Sequence, residues 1–214
     1  MKARTPGELL LNTASPWRAI SAAFRSRLGI GPLPKKLQWT RQVMYQQLES
    51  YVRELGPERL STLEIAGGDF WQQLGFGSYK TVEYPEFDLC ADTLDEKFDL
   101  IIADQVFEHV LWPYRAAKNA RSMLKEGGQL LVTTPFLIRV HDVPVDCTRW
   151  TELGLKHLLA EAGFDIDRIS TGSWGNKACV KANLKRNGWA VLTRFASLKN
   201  DPLFPCVVWA IAKR

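Results

Sequence analysis

The 214-residue sequence predicts an α/β protein built on a doubly wound sheet. Three observations carry that expectation. Three apolar strands run into polar or glycine-containing turns, in the order LEIAGGDF (63–70), FDLIIADQVFEHV (98–110) and GGQLLVTTP (127–135). Helical periodicity fills the gaps between strands, and FDLIIAD is apolar on both faces, as a central parallel strand must be. Strands that alternate with helices form parallel units with right-handed crossovers, and their loops gather at one edge.

The elements follow in chain order. Residues 14–28 read as an amphipathic helix, with Trp17, Ile20, Phe24 and Leu28 on one stripe and Arg18, Arg25 and Arg27 off it. Gly29, Gly31, Pro32 and Pro34 break the chain, and a second helix runs from about Gln38 to Leu55, ended by Gly56-Pro57. These two helices form an N-terminal cap (1–59); the domain proper is 60–214. Within it, LSTLEIAGG is the first strand, YKTVE (79–83) the second and FDLIIAD the third. Pro113 suits the first turn of a helix that carries Ala116, Ala117, Ala120, Met123 and Leu124 and is stopped by Gly127-Gly128. QLLVTTP is the next strand, Thr151 caps a helix closed by Gly163, and FDIDRIS and PCVVWAIA are the last two strands. Between them, about 176–197 is a basic helical insertion with Lys177, Lys181, Lys185 and Arg186.

Composition excludes several classes. No run approaches the roughly 18 apolar residues that span a bilayer, and Asn12 cuts short the Leu9–Leu11 run, so no secretory leader is expected. Cys90, Cys147, Cys179 and Cys206 show no CxxC spacing, which fits free thiols in a cytoplasmic protein. The net charge of +5 is uneven: ten basic residues face four acidic ones in 1–60, eight face fourteen in 61–150, and ten face five in 151–214. Basic ends fit solvated helix faces, an anionic acceptor, nucleic acid or an anionic membrane. No NPPY tetrapeptide or aromatic-basic RNA motif supports nucleic acid, and helix 14–28 reads as a lid in preference to a membrane anchor.

The order and wording of the three phrases resemble the class I S-adenosylmethionine-dependent methyltransferases, over about residues 60–165. The resemblance implies a Rossmann-like sheet of about seven strands with an antiparallel last strand. It also implies S-adenosylmethionine as cofactor and S-adenosylhomocysteine as product. Glu64 matches the family's strand carboxylate and Gly68 its middle glycine; Ala66 and Phe70 replace the flanking glycines, and Gly67 is extra. A left-handed backbone at Phe70 would cost roughly 1–2 kcal/mol, so the turn must take a different path there. Glu83 is placed to accept from the ribose hydroxyls, Tyr84 to lie on the adenine, and Asp88 (or Asp92) to meet the adenine amino group. Asp104 and Gln105 face the methionine part. Relatives with an ExxEH pattern hold a divalent metal there; Gln105 replaces the first acid, so no metal is expected.

For the chemistry, the segment FLIRVHDVPVDCTRWT (136–151) follows the TTP strand on the acceptor side. His141 is the first choice for general base, with Asp142 or Asp146 to orient it; His109, in the EHV phrase, is the second catalytic candidate beside a packing role. The Asp146–Arg149 pair is equally readable as a local ion pair. The P-x-D-x-x-R-W-T wording (Pro144 to Thr151) resembles a subset of bacterial glycan and natural-product tailoring methyltransferases, implying O-methylation of a saccharide or small polar acceptor. Trp174 and Trp189 are candidates for the acceptor wall, and Trp209 for the core. Two other readings stay open: a methyltransferase fold that binds without catalysis, motivated by Ala66 and Phe70, and a nucleic-acid methyltransferase.

Overall fold

The computed structural model describes residues 38–141, 144–184, 189–191, 193 and 196–214. Helix 14–28, Asp142, Lys185 and Arg186 lie outside them. The described chain falls in one compact unit, Leu37–Arg214. Its helix Arg41–Glu54 (α1), grouped with the cap on sequence grounds, packs on the same hydrophobic core as the sheet. Met44, Leu48 and Val52 recur every four residues on α1, so one stripe faces inward.

Six strands form one sheet among the described residues: β1 Ser61–Ile65, β2 Ser78–Val82, β3 Phe98–Asp104, β4 Leu124–Pro135, β5 Ile169–Trp174 and β6 Val207–Lys213. Their spatial order is β2-β1-β3-β4-β6-β5. β1 to β4 are parallel neighbours, and β6 runs antiparallel to both β4 and β5, as the resemblance implied. The order reverses direction between β1 and β3, so the crevice of an open α/β sheet lies outside the carboxyl ends of those two strands.

The central strands are apolar on both faces because both are covered. Ile101 and Ala103 of β3 join one core with the helices Pro113–Ser122 (α3) and Glu152–Glu161 (α4). Leu100 and Ile102 join the opposite core with α1, Trp71 of the short helix Asp69–Gln72 (α2), and Cys179 of Lys177–Asn183 (α5). Thr151 caps α4 as expected, its hydroxyl accepting from the Gly154 N–H at 3.0 Å.

Four expectations are corrected. Among the described residues the sheet has six strands where about seven were expected: the stretch after β2 folds into a turn in which the Asp92 carboxylate accepts from the Asp88 N–H (2.7 Å) and Asp88 accepts from the Cys90 N–H (2.9 Å), local bonds that compete with a ladder. Gly127-Gly128 does not stop α3, which ends at Ser122; both glycines lie within β4, where a Cβ on Gly128 would meet the Phe98 carbonyl oxygen at 2.9 Å. FDIDRIS is only partly strand. Asp165 caps a 3-10 turn at Ile166–Arg168, and β5 begins at Ile169. The basic insertion is helical only over Lys177–Asn183 among the described residues. There Asn183 ends the helix by turning its side-chain oxygen to the Ala190 N–H (3.0 Å).

Candidate active site

The turn after β1 is built from the expected residues by an unexpected path. Ala66 takes φ 56°, the left-handed region, and Phe70 lies in α2 with no such requirement. The strain anticipated at position 70 therefore falls on position 66, where the smallest side chain with a Cβ keeps it low. Gly67 has no room for more: a Cβ would meet Thr81 Cγ2 at 2.5 Å. At Gly68 a Cβ would meet nothing within 4 Å, so the turn faces open space. Glu64, 2 % exposed, accepts from the Gly68 N–H at 3.2 Å and from the Tyr79 hydroxyl. Burial pushes its carboxyl pKa upward, against the pull of those two donors.

The carboxyl end of β3 lies beside this turn. Asp104 accepts from the Tyr45 hydroxyl (2.7 Å), the Trp71 indole N–H (3.2 Å) and the Thr133 hydroxyl. Gln105 follows with φ 59° and gives its backbone N–H to the Thr133 carbonyl at 3.0 Å. Tyr45 stacks on Phe70, with ring centroids 3.9 Å apart. Sequence reasoning missed Tyr45 and its neighbour Arg41, which donates to the Tyr45 hydroxyl at 3.1 Å. Their four-residue spacing was visible on α1; which way that face points was not.

The remaining cofactor candidates lie further out. Glu83 and Tyr84 are exposed just past β2, Tyr84 by 75 %, and Asp88 is half-buried in the turn beyond.

A cavity of about 170 Å³ opens at the end of β3 and is lined by Arg41, Gln105, Glu108, His109, His141 and Trp189 among others. It brings both predicted histidines together: their rings meet edge to face with centroids 4.9 Å apart. Burial, the largest influence, holds the His141 pKa below the ordinary imidazole value. Of the two carboxylates expected to orient the His141 ring, Asp142 lies outside the described residues and Asp146 is directed elsewhere. Asp146 accepts instead from the His141 backbone N–H at 2.8 Å, and both its oxygens bind Arg149. The Asp146–Arg149 pair is thus a local ion pair that fixes the loop. Burial opposes ionisation of Asp146, but Arg149 and the His141 N–H outweigh it and keep the carboxyl below its usual range.

His109 turns Nδ1 to the Val145 carbonyl oxygen, which can only accept, so in the neutral ring Nδ1 carries the proton and the lone pair is on Nε2. Glu108 is 1 % exposed, one of its oxygens has no hydrogen-bond partner, and burial pushes its pKa up to about 8. Trp189 stands on the cavity wall beneath the Arg139 guanidinium, 4.4 Å from the ring centroid. Trp174 does not share that role: it is buried in the core, donating to the Leu198 carbonyl at 3.0 Å. Trp209 is in the core as expected.

Comparison with known proteins bears on this arrangement. A family model described as a methyltransferase domain matches residues 18–169. No curated protein matches the chain. Among solved structures, an S-adenosylmethionine-dependent methyltransferase from Mesorhizobium loti superposes with a TM-score of 0.51 at 15 % identity, covering 77 % of this chain and 96 % of that one. The N-methyltransferase NodS from Bradyrhizobium japonicum, solved with S-adenosylhomocysteine, gives a TM-score of 0.49 at 15 % identity, covering 82 % and 87 %. Another is a methyltransferase from Thermotoga maritima described as a possible histamine N-methyltransferase, with a TM-score of 0.48 at 15 % identity, covering 81 % and 99 %.

Proposed function

Because this chain belongs to the methyltransferase-domain family and is an S-adenosylmethionine-dependent methyltransferase, we propose that it methylates a small polar acceptor, at a hydroxyl oxygen of a saccharide or natural product. The single observation that carries the proposal is the position of Gln105. It follows β3 directly at the switch point of the sheet, and it also lines the histidine-bearing cavity. Cofactor crevice and acceptor cavity therefore share a wall.

The residues present fit the cofactor. Gly68 faces open space, Glu64 fixes the Gly68 amide, and Asp104 and Gln105 lie one strand away. Glu64, Gly67, Gly68, Asp104 and Gln105 would hold the amino-acid end and the turn-facing part, and Glu83, Tyr84 and Asp88 the nucleoside. When bound, S-adenosylmethionine supplies a methyl group on a sulfonium, which already carries a good leaving group.

What the chain adds is orientation and proton removal. The cavity, about 170 Å³, mixes polar groups such as Thr40, Arg41 and Gln105 with apolar ones such as Ile138 and Val207, which favours a compact acceptor with hydroxyl groups over a macromolecule. Trp189 offers an apolar face for a sugar ring, and Arg41 and Gln105 offer hydrogen-bond donors. His141 takes the acceptor's proton: its loop is pinned through the backbone by Asp146, and its ring lines the cavity. His109, with Nε2 facing the same space, accepts a hydrogen bond from the acceptor.

Thermal denaturation with S-adenosylmethionine and S-adenosylhomocysteine tests the cofactor site. At about 100 times Kd a bound ligand adds roughly 2.7 kcal/mol. Formation of S-adenosylhomocysteine with a panel of hydroxylated saccharides and polar metabolites then tests the acceptor class. No thermal shift at millimolar cofactor sinks the reading. A shift without turnover on any hydroxylated acceptor sinks the O-methylation.

A further inference from the structure

Glu108, His109 and His141 present more converging lone pairs than proton transfer requires. One ligand atom from each lies within 4.8 Å of the others. Glu108 Oε1 is 3.7 Å from His109 Nε2. The other Glu108 oxygen is buried without a hydrogen-bond partner, an arrangement that costs free energy unless something occupies it.

We propose that these three side chains bind a divalent first-row transition cation of the zinc or iron(II) type, open on its cavity side to an oxygen of the acceptor. The inference rests on the acceptor-site reading for the cation's role, though not for its binding. The absence of an acid at position 105 argued against a metal when only the EH pair was in view. The fold supplies the third donor from elsewhere, bringing His141 across from the loop after β4.

The donor set selects the ion. Two imidazoles and a carboxylate suit zinc, iron or nickel better than magnesium or calcium, which prefer oxygen alone. The supports around the donors are those such a site needs. The Val145 carbonyl holds His109 Nδ1–H and so leaves Nε2 as the ligand atom. The Cys147 N–H donates to the Glu108 carbonyl at 2.7 Å, and Asp146 holds the His141 backbone. With metal–ligand bonds of about 2.0–2.2 Å, the donors must close by roughly 1 Å, within reach of side-chain rotation. Arg41, Arg139 and Arg149 are near enough to act on the donors, but each is held elsewhere: Arg41 donates to Tyr45, Arg149 is paired with Asp146, and Arg139 lies over Trp189 and donates to the Asn183 carbonyl. A cation here would lower the pKa of a bound acceptor hydroxyl so that its proton passes to solvent; a ligating His141 has no lone pair left for that proton, so the cation takes the place of His141 as the activating group.

The test is cation binding by the full chain after chelator treatment, read by cobalt(II) visible absorption and by zinc(II) calorimetry. The expected result is one cation per chain, with affinity reduced about tenfold or more in His141→Ala and in Glu108→Gln. The thermal shift with S-adenosylhomocysteine should survive in both variants, showing an intact fold. Absence of stoichiometric binding in the parent chain overturns the proposal, as does unchanged affinity in His141→Ala. Methyl transfer that continues in a chain shown to take up no cation leaves His141 as base and removes the metal. Cation uptake without a cofactor shift does the reverse.

Discussion

Ala66 and Gln105 share one backbone conformation, φ 56° and φ 59°, at the carboxyl ends of adjacent parallel strands. Ile65 pairs with Ala103, so the two residues stand just beyond the last paired positions of β1 and β3. They are the non-glycine residues in the left-handed region among those described. Both lie where the sheet order reverses. Strain of this kind persists where surrounding structure over-determines it, and it clusters at ligand sites.

Replacement of Ala66 by Gly should therefore relieve strain while adding freedom to the unfolded chain. The two effects oppose, and the net change in unfolding free energy should stay within about 1 kcal/mol. Ala66→Val, with a branched side chain at positive φ, should destabilise by more than about 1 kcal/mol. Urea unfolding of both variants checks the pair; equal effects would show that the turn is not strained at this position.

Glu64→Gln should weaken cofactor binding. Glu64 Oε2 accepts from both the Gly68 N–H and the Tyr79 O–H, and an amide oxygen in its place lacks the charge that strengthens both bonds. A hydrogen bond to a charged group contributes about 1.5–3 kcal/mol, so the Kd for S-adenosylhomocysteine should rise about tenfold or more. Calorimetric titration reads this directly, and an unchanged Kd would detach Glu64 from the site.

His141→Ala should lower turnover by roughly 10²–10⁴ if the side chain removes the acceptor's proton. Its backbone bond to Asp146 remains possible in the variant, so loop geometry is preserved. The S-adenosylhomocysteine affinity should not change. A loss confined to KM would assign His141 to acceptor binding alone.

Asp99 offers a pH test away from the site. It accepts from the Ser61 N–H and hydroxyl and from Lys125 Nζ at 2.8 Å. Partial burial works against ionisation, but these donors outweigh it and leave the folded carboxyl below its usual range. A depressed folded pKa contributes stability above the unfolded value of about 3.9, which is lost as pH falls through the folded one. The stability gap between the parent chain and Asp99→Asn should thus be constant near neutrality and close below about pH 4. A gap independent of pH down to that range would rule out the linkage.

The strands of the core were legible because their signal is local. FDLIIAD is apolar on both faces, and that alone requires layers on both sides, which α1 and α3 supply. Thr151 and Pro113 announced their helices through side-chain and backbone chemistry confined to one turn. The order of the phrases also placed Glu64, Asp104 and Gln105 at strand ends, and gave the cofactor.

The tertiary structure decided what depends on distance. Gly127-Gly128 looked like a helix stop, and the reason it is strand is the approach of Phe98 from another segment. Asp146 looked able to orient the His141 ring, yet its geometry gives it the backbone N–H and the Arg149 guanidinium. Tyr45 reaches Asp104 across 59 positions of sequence, and His141 reaches His109 across the loop after β4. By itself the sequence determined the fold class, since apolar periodicity and turn chemistry act between neighbours in the chain, and its resemblance to the methyltransferases implied the cofactor. The make-up of the catalytic cavity was decided only on folding, because it depends on side chains whose separation is set by how the sheet and helices pack.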